Sequence, residues 1–288
     1  GRRNKLLPSP KKQARNPLIL RTVASAFAFH RLAVVWCAPT MSMKGVVVGL
    51  MCALLLVTVG RVLSIEGTVL LSVVTNVLAC LLSRDETYYD LTGSATHLAV
   101  VVTSFLGAPA TKRQVLASFA AAVWAARLGT FLFLRMAKDG RDSRFDKVRT
   151  KPIAFFAVWL IQALWVVVIE LPVVLLNRVG GGGDDDDPPL GSLRDVAGFG
   201  LWVAGFALEV AADTQKFVFR CQHKDAFMRR GLWRYSRHPN FAGEILLWTG
   251  LALVATSATP ESRAPWLSPA FTALILTKVS GIPPLEKS

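Results

Sequence analysis

The chain has 288 residues, 52% of them hydrophobic and 18% charged, with a formal net charge of +14. That balance is too apolar for an ordinary water-soluble domain, and the expected solvent is a lipid bilayer. A disulfide scaffold and a zinc module are excluded as well, because Cys37, Cys52, Cys80 and Cys221 sit in or beside apolar runs without paired-ligand spacing and read as packing residues.

From the amino terminus, nine Lys or Arg and no acidic residue fall in the first 44 positions. Residues 1–42 are therefore read as a basic leader outside the fold, either a targeting segment or an upstream extension. Leu18–Ala38 makes a poor span because it carries Arg21, His30 and Arg31. Apolar runs then follow at 45–60, 67–83, 93–108, 115–135, 152–176, 195–219, 241–258 and 265–280. About 20 apolar residues cross a bilayer as a helix, fewer where flanking side chains snorkel. The series predicts an all-α, polytopic transmembrane bundle of seven to eight spans over residues 43–288.

Between the runs, 138–151 holds six basic residues and 216–237 holds seven, whereas Gly180–Gly183 lead into Asp184–Asp187. Basic loops belong on the cytoplasmic face, so these two are placed there and the acidic loop opposite. Lys112 and Arg113 fall on the wrong side of that scheme. A glycine run entering four aspartates repels phosphate, and no G-x-G-x-x-G fingerprint follows a strand. Nucleic acid is disfavoured as a partner, since outside the leader the basic residues lie at the ends of apolar helices.

Ionisable side chains inside bilayer helices are costly unless paired, hydrated or facing a cavity, so each marks a possible site. Arg127 and Arg135 lie on nearly one helix face with Phe131 between them. They read either as cofactor ligands or as an interhelical ion-pair partner and an interfacial anchor. Glu209 and Asp213 stand one turn apart, followed by Lys216 and Arg220; their partner is either Arg127 or the polar groups of a cofactor. Glu170, beside Pro172, reads as interfacial.

The densest constellation runs from Gly231 to Glu244. Pro239 suits a first helical position, from which Asn240, Glu244 and Trp248 fall on one face. Ahead of it, Trp233, Arg234, Tyr235, Arg237 and His238 mix aromatic surfaces with cations, as stacking a base and gripping phosphates would require, or as contact with lipid headgroups would. Together with Arg135, Asp142, Ser143 and Arg144, these residues suggest an anionic cofactor entering from the cytoplasm.

The segment Gly231–Glu244 with Trp248-Thr-Gly250 resembles the C-terminal domain of the steroid 5-alpha-reductase superfamily. Tyr89-Asp-Leu-Thr-Gly-Ser94, Arg127–Arg135, the Glu209/Asp213/Gln215-Lys216 helix and Ser280-Gly-Ile-Pro are similar to the same membrane branch. The resemblance runs from about residue 45 to the end. It implies a membrane reductase of the endoplasmic reticulum that uses NADPH to reduce a carbon–carbon double bond in a steroid, sterol, polyprenoid or other lipid-like substrate. It further implies a cofactor-binding half over about 195–288. Asn240 would contact the nicotinamide amide, and Glu244 would serve as hydrogen-bond partner and proton source. Asp213 and Arg220 would hold the cofactor, with Glu209, Arg127, Arg135, Arg144, Trp233, Arg237 and His238 nearby. The family's catalytic tyrosine has no secure counterpart; Tyr235 is the candidate. The basic leader keeps a plastid or mitochondrial membrane as the alternative location. Two other functions compete. Isoprenylcysteine and phospholipid methyltransferases share a related R-H-P-x-Y signature and use S-adenosylmethionine; a non-catalytic lipid- or sterol-binding protein could retain the fold.

Overall fold

A computed structural model describes residues 65–83, 86–108, 111–140, 142–179, 190–223 and 226–279; the leader, the 45–60 run, the acidic loop and the Ser280-Gly-Ile-Pro stretch lie outside them. The described chain is all-helical, without strands. Its elements are α1 (Ile65–Ser83), α2 (Tyr89–Leu106), α3 (Lys112–Asp139), α4 (Pro152–Arg178), α5 (Leu193–Gln222), α6 (Pro239–Ala258) and α7 (Leu267–Leu274). Successive helices run antiparallel, so α3 and α5 end where α2, α4 and α6 begin.

Local chemistry sets the boundaries. Thr111 and Gln114 form a reciprocal capping box on α3, and Ser192 with Asp195 does the same for α5. Gly140 closes α3 in the left-handed conformation (φ 68°), and Pro152 and Pro239 open α4 and α6 at a position where no amide N–H is needed.

Four helices, α3 to α6, are long and apolar enough to cross a membrane. The larger expected number is thus not met among the described residues. In α1 the apolar stretch is only Ser72–Leu82, while α2 carries Asp90, Thr92, Ser94, Thr96 and His97. The run at 265–280 is broken into a 3₁₀ turn (Ala264–Trp266), α7 and a π turn (Ile275–Val279). Pro265 and Pro269 each lack a backbone donor, which interrupts a uniform ladder there.

The core gathers Ala117, Ala120, Ala121, Trp124 and Ala125 of α3, Ile169 and Val173 of α4, and Leu247, Trp248 and Leu251 of α6. Small residues on α3 let its backbone approach its neighbours closely, the usual source of helix association where lipid removes the hydrophobic driving force. The same device is strongest between α5 and α6. A Cβ added to Gly205 would stand 2.6 Å from the Gly243 carbonyl oxygen, and one on Gly250 would stand 2.4 Å from that of Gly198. The two crossings are seven residues apart on each helix. One places Gly243 against the backbone of Glu209, so Glu244 and Glu209 are brought together by main-chain contact. Gly243→Ala would put a methyl group 2.7 Å from the Glu209 amide nitrogen, forcing backbone movement. The expected cost is about 1–3 kcal/mol, to be read from the thermal midpoint in detergent.

At the far end of the bundle, Arg113 is fully buried and paired bidentately with Asp195, at 2.9 Å for both contacts. This removes Arg113 from the loop charge that conflicted with the topology. Glu170 is also buried, not interfacial: it accepts from or donates to His97 Nδ1 at 2.9 Å and has no exposed surface. Cys80 packs beside Phe145, Phe155 and Trp159 as expected. Cys221 instead is exposed, 3.0 Å from the Lys138 ammonium.

Candidate functional site

Three helices, α3, α5 and α6, converge beside the 226–238 segment. From α3, the Arg127 guanidinium reaches across to α5, donating to Glu209 at 2.6 Å and to Asp213 at 2.7 Å. One turn earlier, the Trp124 indole N–H donates to the second Glu209 oxygen at 3.1 Å. From α6, the Asn240 side chain stands beside Asp213. Glu244 lies one turn on, buried, within electrostatic range of Glu209, Asp213 and Arg127. Two carboxylates thus hold one guanidinium, with a third carboxyl group nearby.

Of the two readings open for Arg127, the geometry realises the interhelical ion pair. Its stability rests on hydrogen bonds satisfying both charges, since burial in a low-dielectric core is expensive otherwise. Two polar atoms are left out of the arrangement: Glu244 Oε1 and Asn240 Oδ1 are buried without a hydrogen-bond partner. The Trp248 indole nitrogen, one further turn along α6, is in the same condition. Buried polar atoms without partners are few in folded proteins, and three of them stand here on one helical stripe.

A second cluster closes the end of the bundle that carries the basic loops. Arg144 donates to both oxygens of Asp90 on α2, at 2.9 and 3.0 Å, and to Asp142. Arg135 reaches the same Asp90 at 3.4 Å. Alongside, Arg149 pairs with Glu86. Arg135 and Arg144 are thereby brought together, but by carboxylates of this chain. Burial acts to raise the Asp142 carboxyl, yet the hydrogen bonds and charge of Arg144 outweigh it and hold the group below the ordinary carboxylate range. A lowered folded-state value means the clamp contributes stability above the ordinary value and loses it as pH falls through the lowered one. Asp142→Asn should therefore lower the unfolding midpoint near neutral pH, with the difference from the parent shrinking below about pH 4.

The segment between α5 and α6 places its residues unevenly. Gly231 adopts φ 59°, and the Gln215 side chain accepts from the Leu232 amide at 3.0 Å, tying the turn Gly231–Arg234 to α5. Trp233 is buried, its N–H donating to the Ala212 carbonyl at 3.0 Å and its ring lying 4.5 Å under the Lys216 ammonium. That ring is already engaged by the core and is not the open stacking surface expected. Tyr235 is 85% exposed, whereas Glu244 is buried. His238 stacks on Phe241 with centroids 5.1 Å apart. Arg220, Arg229, Arg230, Arg234 and Arg237 are all exposed, and the first four make no ion pair among the described residues.

Sequence reasoning missed several of these groups. Asp90 lies inside the Tyr89–Ser94 motif and was given no role, although its single carboxylate binds two predicted cofactor arginines. Trp124 precedes Arg127 by three residues, a helical spacing that could have flagged it. The His97–Glu170 pair joins residues 73 apart and left no signal beyond two ionisable groups in apolar runs. His97 also meets Trp124 edge-on, centroids 5.2 Å apart. A line of buried polar and aromatic groups therefore runs from Glu170 to Asn240.

The fold and this centre define an all-α protein of the integral-membrane type, with a buried arginine ion-paired to two carboxylates and a third carboxyl group nearby. Residues 77–288 match the model of the family described as "Protein of unknown function (DUF1295)", and the chain belongs to that family. No curated protein and no solved structure matches it.

Proposed function

We propose that the protein is a membrane-embedded, NADPH-dependent reductase of a carbon–carbon double bond in a lipid-like substrate. The observation that carries this reading is the pair of unpartnered buried oxygens, Glu244 Oε1 and Asn240 Oδ1, beside the ion-paired centre and next to the exposed arginines. The residues present fit such a cofactor. Asn240 stands beside Asp213 and has a buried acceptor oxygen without a partner, which suits a primary amide N–H. Arg220, Arg229, Arg230 and Arg234, exposed and without an ion pair among the described residues, offer cations for phosphates. Arg127, Arg135 and Arg144 would not bind phosphate directly, because carboxylates of this chain already hold them.

When bound, the reduced nicotinamide supplies hydride to one alkene carbon and leaves as NADP⁺. The work of this chain is then to bind the substrate's polar end at Glu244, exclude water from the buried stripe, and deliver a proton to the other carbon. Glu209, Asp213 and Arg127 fix the electrostatic setting of Glu244 without moving. The endoplasmic reticulum is the location proposed, with a plastid or mitochondrial membrane as the alternative suggested by the leader. Seven to eight crossings would require 45–60, α1, α2 and the 264–279 segment to span as well.

One observation favours a second reading. Neutralising Arg127, Arg135 and Arg144 removes three cations that would have distinguished a bis-phosphorylated dinucleotide from S-adenosylmethionine, and three carboxyl groups suit a sulfonium. Methyl transfer is thus the competitor, and a non-catalytic lipid-binding protein comes after it. Binding of NADPH, NADH and S-adenosylmethionine to the detergent-purified full-length protein separates them, read by calorimetry and by energy transfer from tryptophan to nicotinamide. Saturable NADPH binding is the expected result. Binding of S-adenosylmethionine alone would overturn the reductase, and binding of none would leave the lipid-binding protein.

A further inference from the structure

The two basic loops at this end of the bundle differ in what becomes of their charge. In 138–151 six cations stand among three acids, and two of the arginines are spent within the chain: Arg144 on Asp90 and Asp142, Arg149 on Glu86. In 216–237 seven cations meet one acid, Asp225, and the stretch 226–237 holds four arginines and no acid at all. Of those four, Arg229, Arg230 and Arg234 are exposed and make no ion pair among the described residues. Two loops that look alike by cation number thus end with charge consumed on one and left over on the other.

The leftover charge is interleaved with apolar surface. Phe227 is 64% exposed and Tyr235 85%. The Arg229 guanidinium lies 5.9 Å from the centre of the Phe227 ring. A loop facing water gains nothing from an exposed phenyl ring. At a bilayer surface the ring enters the acyl boundary and the cation beside it meets the headgroups. The position agrees, because this segment joins Gln222 at the end of α5 to Pro239 at the start of α6, and both helices are long and apolar enough to cross a membrane. Their shared end is where a bilayer presents its phosphates. The segment is also fixed there: the Trp233 N–H donates to the Ala212 carbonyl, and the Leu232 amide to Gln215, so its middle is tied to α5.

We propose that Phe227, Arg229 and Arg230 form a binding surface for an anionic phospholipid, the guanidinium groups taking the headgroup phosphate and the phenyl ring lying along the acyl chains. An arginine fork matches two phosphate oxygens. A second arginine beside it favours a headgroup of net negative charge over a zwitterionic one, whose own ammonium it repels. A dinucleotide carries phosphates as well, but it has no acyl chain for Phe227. Arg220 and Arg234 remain for the cofactor, and the lipid surface does not depend on the reductase reading. Its consequence is a preference for membranes whose leaflet on this side is anionic, as cytoplasmic leaflets are.

The test uses the full-length protein in vesicles of one part phosphatidylglycerol to four parts phosphatidylcholine, with matched acyl chains. The photoreactive p-benzoylphenylalanine replaces Phe227 or, in a separate sample, Val203, which is 59% exposed within the span of α5. After illumination, mass spectrometry counts the lipids attached at each site. Adducts at position 227 should be enriched in phosphatidylglycerol about fivefold over the vesicle ratio, the worth of one headgroup-bound arginine, while those at position 203 follow that ratio. R229Q/R230Q should bring the enrichment to within about twofold of the vesicle ratio and keep the parental thermal midpoint, since both side chains are exposed. Neither NADPH nor inorganic phosphate at constant ionic strength should change it. Lipid adducts absent or at the vesicle ratio in the parent, or enrichment that survives R229Q/R230Q, would overturn the proposal. Enrichment abolished by NADPH or inorganic phosphate would overturn it too, returning these arginines to a soluble phosphate ligand. Enrichment intact in a protein that binds no NADPH would uphold the lipid surface and overturn the reductase.

Discussion

Arg127→Met is expected to destabilise the bundle by about 3–5 kcal/mol, enough to lower its yield in detergent sharply. The guanidinium is only 15% exposed and is the ion-pair partner of two carboxylates that are themselves more than nine-tenths buried. Removing one member of a buried ionic cluster leaves the others uncompensated, which costs far more than the cluster contributes as a whole. The contrast is a triple variant, Arg127→Met with Glu209→Met and Asp213→Leu, which removes charge and counter-charge together. It should recover most of the lost stability, measured by thermal unfolding in the same detergent. If the single variant unfolds like the parent, the ion-paired centre does not hold the bundle together.

The second large effect falls on chemistry. Glu244→Gln should lower turnover of an enone by about 10²-fold or more, the usual worth of a positioned proton donor, with NADPH affinity retained. The same variant should not unfold more readily. Glu244 Oε1 has no hydrogen-bond partner among the described residues, and a proton donor is already neutral, so an amide of the same size leaves the charge of the centre unchanged. Loss of activity with equal or greater thermal stability is the pattern of a functional residue kept at structural expense. Tyr235→Phe is the control; at 85% exposure, it should leave turnover within about twofold of the parent. A Tyr235→Phe variant as inactive as Glu244→Gln would return the proton donor to the tyrosine that the family resemblance favours.

The helices were largely legible because hydrophobic runs and breakers are local. The expected 152–176 and 241–258 runs became Pro152–Arg178 and Pro239–Ala258, with each proline opening its helix. Their capacity to cross a membrane was less legible. That depends on uninterrupted length, which α2 loses to polar residues and 264–279 loses to Pro265 and Pro269. In the site, Arg127, Glu209 and Asp213 could be read as partners because one cation and two anions sit in helices at facing depths. Arg135 and Arg144 could not be assigned, since their partner Asp90 lies 45 and 54 residues away. Trp233 and Tyr235, two residues apart, look equivalent in a periodicity. One is buried and the other exposed because a single 3₁₀ turn, tied to Gln215, separates them. No sequence period encodes that turn.

The glycine crossings of α5 and α6 also bear on how such a protein can change. Because main chain meets main chain at Gly198/Gly250 and Gly205/Gly243, the spacing between Glu209 and Glu244 is set by atoms that every amino acid carries alike. Side chains elsewhere on the two helices can then be exchanged without altering that spacing. Location and chemistry are encoded in different residues, so a lineage can retune what its carboxylates act upon while the frame that presents them is inherited unaltered.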